Sequence, residues 1–250
     1  MRHSSVGIPV AAGFSAGVRL SPAPLVAVAH GSRDPRAAAT VEALLALVRQ
    51  ARPGLVVRSA YLDHEGPRLR QALAGLDEAV VLPLLLTEAY HSRVDLPAAI
   101  AEVRAATGQP VVHYGSTLGP HPLMFDVLER RLAEAGVVRT DDTAVVLVSA
   151  GSSDPRANAV IARMAAEWGA TAAYASAAGP TPAEAVARLR AEGAARVAVA
   201  PYLLAPGYFA DKVARTSGAD VVADVLGPAP ELVDVLLERY NQAQRQVVAA

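Results

Sequence analysis

Residues Leu25–Ala38 read LVAVAHGSRDPRAA, and a near copy, VVLVSAGSSDPRANA, occupies Val145–Ala159. Each copy joins an apolar run to Gly-Ser-x-Asp-Pro-Arg. A carboxylate just before a proline is a helix start: the aspartate oxygen caps orphan backbone N–H groups, and proline's fixed φ suits the first helical position. Asp34-Pro35 and Asp154-Pro155 therefore each predict a strand, a tight turn and a helix.

The self-similarity extends along the chain. AYLDHEGP (60–67) recurs as AYASAAGP (173–180), VVLPLLLTEAYH (80–91) as VAVAPYLLAPGYF (197–209), and LGPHP (118–122) as LGPAP (226–230). The order is kept while the offset drifts, as expected of two copies of one fold separated by small loop insertions. Short apolar runs such as PLVAVA and PVVHYG alternate with helical segments such as PRAAATVEALLALVRQA, whose apolar residues fall on one helical face. Continuous apolar strands between helices indicate parallel sheets covered on both faces. The expected architecture is α/β, with two tandem homologous doubly wound domains at 24–139 and 143–250 after a tail at 1–23, each burying its own core. Doubly wound sheets bind ligands beyond the carboxyl ends of their strands, which puts the expected site in a cleft between the copies.

Composition narrows the function classes. With 23 basic and 24 acidic residues the net charge is −1, giving no surplus for nucleic acid or an anionic membrane. The absence of cysteine excludes disulfides, thiolate metal sites and thiol catalysis, and fits a cytoplasmic location. The longest apolar run, AVVLPLLL, is too short for the roughly 20 residues of a membrane span, and the first residues do not read as a signal peptide.

All six histidines lie at or before position 121. Laid copy on copy, His30 faces Ala150, His64 faces Ala177, His91 faces Phe209 and His121 faces Ala229, while the surrounding glycines and prolines persist. A fold that keeps its shape without these imidazoles does not need them for folding. His30 and His91 follow strands and should meet at one carboxyl edge with Asp63, whose counterpart is Ser176. Two imidazoles and a carboxylate on a cleft suit a divalent first-row metal. Asp63 could equally cap a turn, and His64 and His121 could be surface residues. Arg33 and Arg93, replaced by Ser153 and Asp211, could grip ligand carboxylates in bidentate fashion. Arg36 persists as Arg156 and reads as helix surface.

AHGSRDP, AYLD and YHSRVDLP together resemble the sirohydrochlorin chelatases of the class II chelatase group, in the long form with two fused homologous domains. The resemblance runs from Leu25 to about Tyr240. It implies insertion of Fe²⁺ or Co²⁺ into a carboxylate-rich tetrapyrrole on the routes to sirohaem or cobalamin. The metal is then a substrate and no cofactor is permanently bound. It also implies that His30 and His91 hold the metal or accept pyrrole protons, with Asp63 assisting where the family commonly has glutamate. Ser32, Arg33, Arg93, His121 and Phe209 would contact the tetrapyrrole. Because the shorter family members pair two chains to form the pocket, the fused chain should act as a monomer. The same residues would serve a metal or tetrapyrrole carrier without turnover. A phosphate-recognising enzyme is a weaker alternative, since neither a long glycine-rich loop nor a Walker lysine is present.

Overall fold

Why Leu25–Ala29 is a strand is visible in where its side chains go. Leu25, Ala27 and Ala29 enter one apolar cluster and Val26 and Val28 enter another, so alternate residues serve opposite faces of a sheet buried on both sides. The computed structural model describes residues 22–88, 94–108, 110–140 and 142–248. In the first half, β1 (Leu25–Ala29), α1 (Pro35–Ala51), β2 (Val57–Tyr61), α2 (Leu69–Leu73), β3 (Glu78–Pro83), α3 (Leu96–Thr107), β4 (Val111–Tyr114) and α4 (Leu123–Glu134) follow in turn. The second half repeats them as β5 (Thr143–Ser149), α5 (Pro155–Glu167), β6 (Thr171–Tyr174), α6 (Pro182–Ala191), β7 (Arg196–Pro201), α7 (Tyr208–Thr216), β8 (Val221–Val222) and α8 (Pro230–Val248).

The two sheets have the same order, β2-β1-β3-β4 and β6-β5-β7-β8, and every described pairing is parallel. This is the doubly wound α/β duplication expected from the repeat. The register sets Ala29 beside Tyr61 and Val28 beside Pro83, which brings the ends of β1, β2 and β3 to one edge.

The expectation that each half buries its own core meets a different arrangement. The outer faces do have separate clusters: Val26, Val28, Val81, Leu73 and Leu96 in the first half, and Val146, Val148, Val199, Val186 and Val213 in the second. The inner faces share one cluster that joins Leu25, Leu82 and Leu45 to Leu147, Ala200, Ile161 and Leu236. Helix α8 packs on α1, β3 and β4 of the first half, and α4 packs on β7 of the second. Each half thus lends its last helix to the other. The crossing is tight at Gly115, where a Cβ would run into Leu82 and approach Ala243 of α8. Tyr240, fully buried on α8, donates its hydroxyl to the carbonyl of Ala23 at 2.7 Å. From the other side, the Trp168 indole N–H donates to Glu129 of α4 at 2.8 Å, and Arg139 lies 4.8 Å over the indole ring.

Candidate functional site

Both copies of the Gly-Ser-x-Asp-Pro turn are built alike, and that separates scaffold from chemistry. Gly31 has φ +90° and Gly151 φ +85°, a backbone that L side chains rarely adopt. A Cβ at Gly31 would collide with the carbonyl oxygen of Asp63, and one at Gly151 with that of Ser176. The hydroxyl of Ser32 accepts the N–H of Asp34 at 3.0 Å, and Ser152 does the same for Asp154. The Asp34 carboxylate accepts the N–H of Arg36 at 2.9 Å, as Asp154 does from Arg156. Glycine, serine and aspartate therefore hold the turn in both halves. Ser32 thus has a folding task of its own, beside its expected place near the ligand.

The two turns face each other across a cleft of about 1240 Å³. Its first wall is the carboxyl edge of β1 and β3: His30, Gly31, Ser32, Arg33 and Leu84–Thr87. The second wall comes from the ends of β5, β6 and β7 and the start of α7, including Ala150, Ser176, Tyr202 and Phe209. His30 and Arg33 are exposed within it, and the His30 ring Nδ1 lies 3.2 Å from the Gly31 carbonyl. Opposite His30 the second half offers Ala150, as the repeat implied.

His91 and Arg93, expected beside His30, lie outside the described residues. Among the described residues no group of three or more His, Asp or Glu is placed to hold a metal ion. Asp63 is tied to the His30 turn by its backbone, its N–H donating to the His30 carbonyl at 2.8 Å. Its side chain is 62% exposed, lies 3.8 Å from Arg68, and is not part of the cleft lining.

His121 is also away from the cleft. It lies just before α4, and because α8 crosses there its Nε2 meets Glu238 at 3.2 Å; it lines a separate cavity of about 280 Å³. Its counterpart Ala229 is buried in the shared inner core. Phe209 lines the cleft while packing on the outer core of the second half. The more open ring is Tyr208, 70% exposed, edge-on to Phe209 with centroids 5.5 Å apart. Sequence comparison passed over Tyr208 because Tyr90 occupies the matching position and the pair shows no difference.

The remaining electrostatics suit a partly closed apolar cleft. Tyr202 is buried and donates its hydroxyl to the Leu86 carbonyl at 3.1 Å; burial pushes its phenol well above the ordinary range, so it stays neutral. Arg36, read from sequence as helix surface, reaches across the rim. Its guanidinium binds Asp34 at 2.5 Å and Asp211 of α7 at 2.6 Å, joining the two halves.

Known proteins share this organisation. A curated sirohydrochlorin cobaltochelatase of Priestia megaterium is 30% identical over 195 residues, 72% of this chain and 63% of that protein, so the chain spans under two thirds of its length. A sirohydrochlorin ferrochelatase of the same organism is 28% identical over 198 residues, 74% of each chain. The fold matches that of SirB from Bacillus subtilis with Fe³⁺, with a TM-score of 0.73 at 24% identity over 88% of this chain and 94% of that one. Among the described residues no helix is long and apolar enough to cross a membrane. The family model CbiX matches residues 24–135 and 144–243, one stretch in each copy of the repeat, and the chain belongs to the CbiX family.

Proposed function

We propose that the protein is a sirohydrochlorin chelatase, inserting Fe²⁺ or Co²⁺ into the carboxylate-rich tetrapyrrole. The observation that carries this reading is the inter-half cleft of about 1240 Å³ with an exposed imidazole, His30, on one wall and alanine at its counterpart on the other. That volume lies above the common 300–1,000 Å³ range of small-molecule pockets, in keeping with a macrocycle. The relatives' names point to the same chemistry with either metal.

The reaction exchanges two pyrrole protons for one divalent ion. His30 has the chemistry for it: a neutral imidazole is a moderate ligand for Fe²⁺ or Co²⁺ and a base near pH 7. A site with few protein ligands leaves coordination positions open for the macrocycle nitrogens, so the ion can leave the protein. His91, from its sequence position after the third strand, is assigned as the partner of His30. Arg33, exposed in the cleft, would bind substrate carboxylates, with Arg93 in the same role from its sequence position. Tyr208 and Phe209 supply aromatic surface on the second wall. Since one chain provides both walls, the functional unit is assigned as the monomer.

The test is turnover. With tetrapyrrole and metal in excess under anaerobic conditions, the expected result is many equivalents of metallated product per chain. A yield that stops at one equivalent would favour a carrier instead.

A further inference from the structure

His64 lines the same cleft wall as His30, and sequence reading alone left its role undecided. It sits between Asp63 and Glu65 in the loop after β2. That loop is tied down on both sides of it: Leu62 N–H donates to the Ala29 carbonyl at 3.0 Å, Asp63 N–H to the His30 carbonyl at 2.8 Å, and Tyr61 N–H to the Pro67 carbonyl at 2.9 Å. Gly31 packs its backbone against Asp63. The His30 and His64 turns are therefore one rigid unit at the carboxyl edge.

His64 has φ +62°, the left-handed conformation uncommon for a residue with a side chain. Its counterpart Ala177 has φ +56° in the same loop of the second half. The backbone shape belongs to the fold, and an alanine is accommodated there. The imidazole is found only in the half that carries His30. Meanwhile Asp63, the acid that the family resemblance would bring to the metal, directs its carboxylate toward Arg68 and stays off the cleft wall.

We propose that His64 contacts the incoming metal, holding the divalent ion with His30 on the cleft wall before insertion and taking the place that Asp63 does not reach. The proposal rests on the chelatase reading for its biological purpose, while its chemistry is tested separately. Imidazole suits Fe²⁺ and Co²⁺ at least as well as a carboxylate does. A pair of neutral ligands also leaves the ion its full positive charge to draw it toward the anionic macrocycle. No covalent step is involved: the imidazole lone pairs displace metal-bound waters, and the macrocycle nitrogens later displace the imidazoles.

The experiment titrates Co²⁺ alone, without tetrapyrrole and under anaerobic conditions, into wild type, His64→Ala, His64→Asn and His30→Ala, following the visible absorption of the bound ion. Asparagine tolerates the left-handed backbone and lacks the imidazole. The expected result is weaker Co²⁺ binding by about tenfold or more in both His64 variants, with a changed spectrum and unaltered thermal unfolding. Insertion assays should then show kcat falling with KM for the tetrapyrrole unchanged. Wild-type affinity and spectrum in both His64 variants would overturn the proposal. If wild type binds Co²⁺ through His64 yet inserts no metal, the chelatase reading fails while the metal contact stands.

Discussion

Arg36 Nη2 lies 2.6 Å from Asp211 Oδ2, so one ion pair ties the first turn of α1 to the first turn of α7 across the rim of the cleft. Both side chains are about half exposed, so the pair does little for stability, and its interest is its place at the entrance. Asp34 and Asp211 present carboxylates to a substrate that carries carboxylates itself, and the single charge of Arg36 offsets one of the two. Asp211→Asn should therefore speed association of the tetrapyrrole by about twofold or more at low salt, since one unit charge at ~10 Å in water is worth about that. Arg36→Ala should slow it. Stopped-flow rates at rising ionic strength check both, because screening should draw the variants together. Changes of the same sign in both would show that the ion pair acts by shape and not by charge.

The paired turns separate residues that fold the chain from residues that act. Gly31→Ala puts a methyl against the Asp63 carbonyl at positive φ and should cost about 2–4 kcal/mol; Gly151→Ala should cost much the same. His30→Ala reproduces Ala150 of the second half and should leave the unfolding transition in place while removing activity. Thermal melts with activity on the same samples decide it.

The exchanged helices predict that the halves unfold together. Leu236→Ala on α8, a fully buried site in the shared core, should cost about 2–5 kcal/mol. Tyr240→Phe, which removes the hydroxyl that donates to the Ala23 carbonyl, should cost about 1 kcal/mol. The single tryptophan, Trp168, sits in the second half against α4 and reports its packing by fluorescence. In both variants its transition should coincide with that of the far-UV circular dichroism. Separate transitions would mean that the shared core is not one cooperative unit.

Acid should loosen the same contact. Burial tends to raise the Glu231 carboxyl, but its hydrogen bond and charge interaction with Arg130 of α4 outweigh that and hold it below the ordinary glutamate range. A group whose pKa is lowered on folding stabilises the fold above its unfolded value, and the gain is lost as pH falls through the folded value. Stability should therefore decline as pH drops below about 4, and Glu231→Gln should flatten that decline. Denaturant midpoints from pH 7 to pH 3 measure it.

The duplicated α/β fold was legible because its signals are local: Asp-Pro caps, continuous apolar runs of strand length, and glycines that both copies keep. The exchange of α4 and α8 was not, because an amphipathic helix has an apolar face whichever sheet it covers. The position of His30 was legible from its contrast with Ala150. The turn of His121 toward Glu238 was not legible, because α8, which supplies that glutamate, is more than a hundred residues away in sequence. Arg36 was read as helix surface for a related reason: Arg36 and Arg156 are identical in sequence, and only the fold brings Asp211 to Arg36. His64 was left undecided because nothing in the sequence tells a cleft-facing loop residue from a solvent-facing one.

The most direct measurement of the central claim is the initial rate of metal insertion into sirohydrochlorin under anaerobic conditions, followed by visible absorption, for wild type and His30→Ala. The account predicts acceleration above the spontaneous rate with Fe²⁺ or Co²⁺ in wild type, and its loss in a folded His30→Ala protein. No acceleration by wild type with either metal, or full activity in His30→Ala, would contradict it.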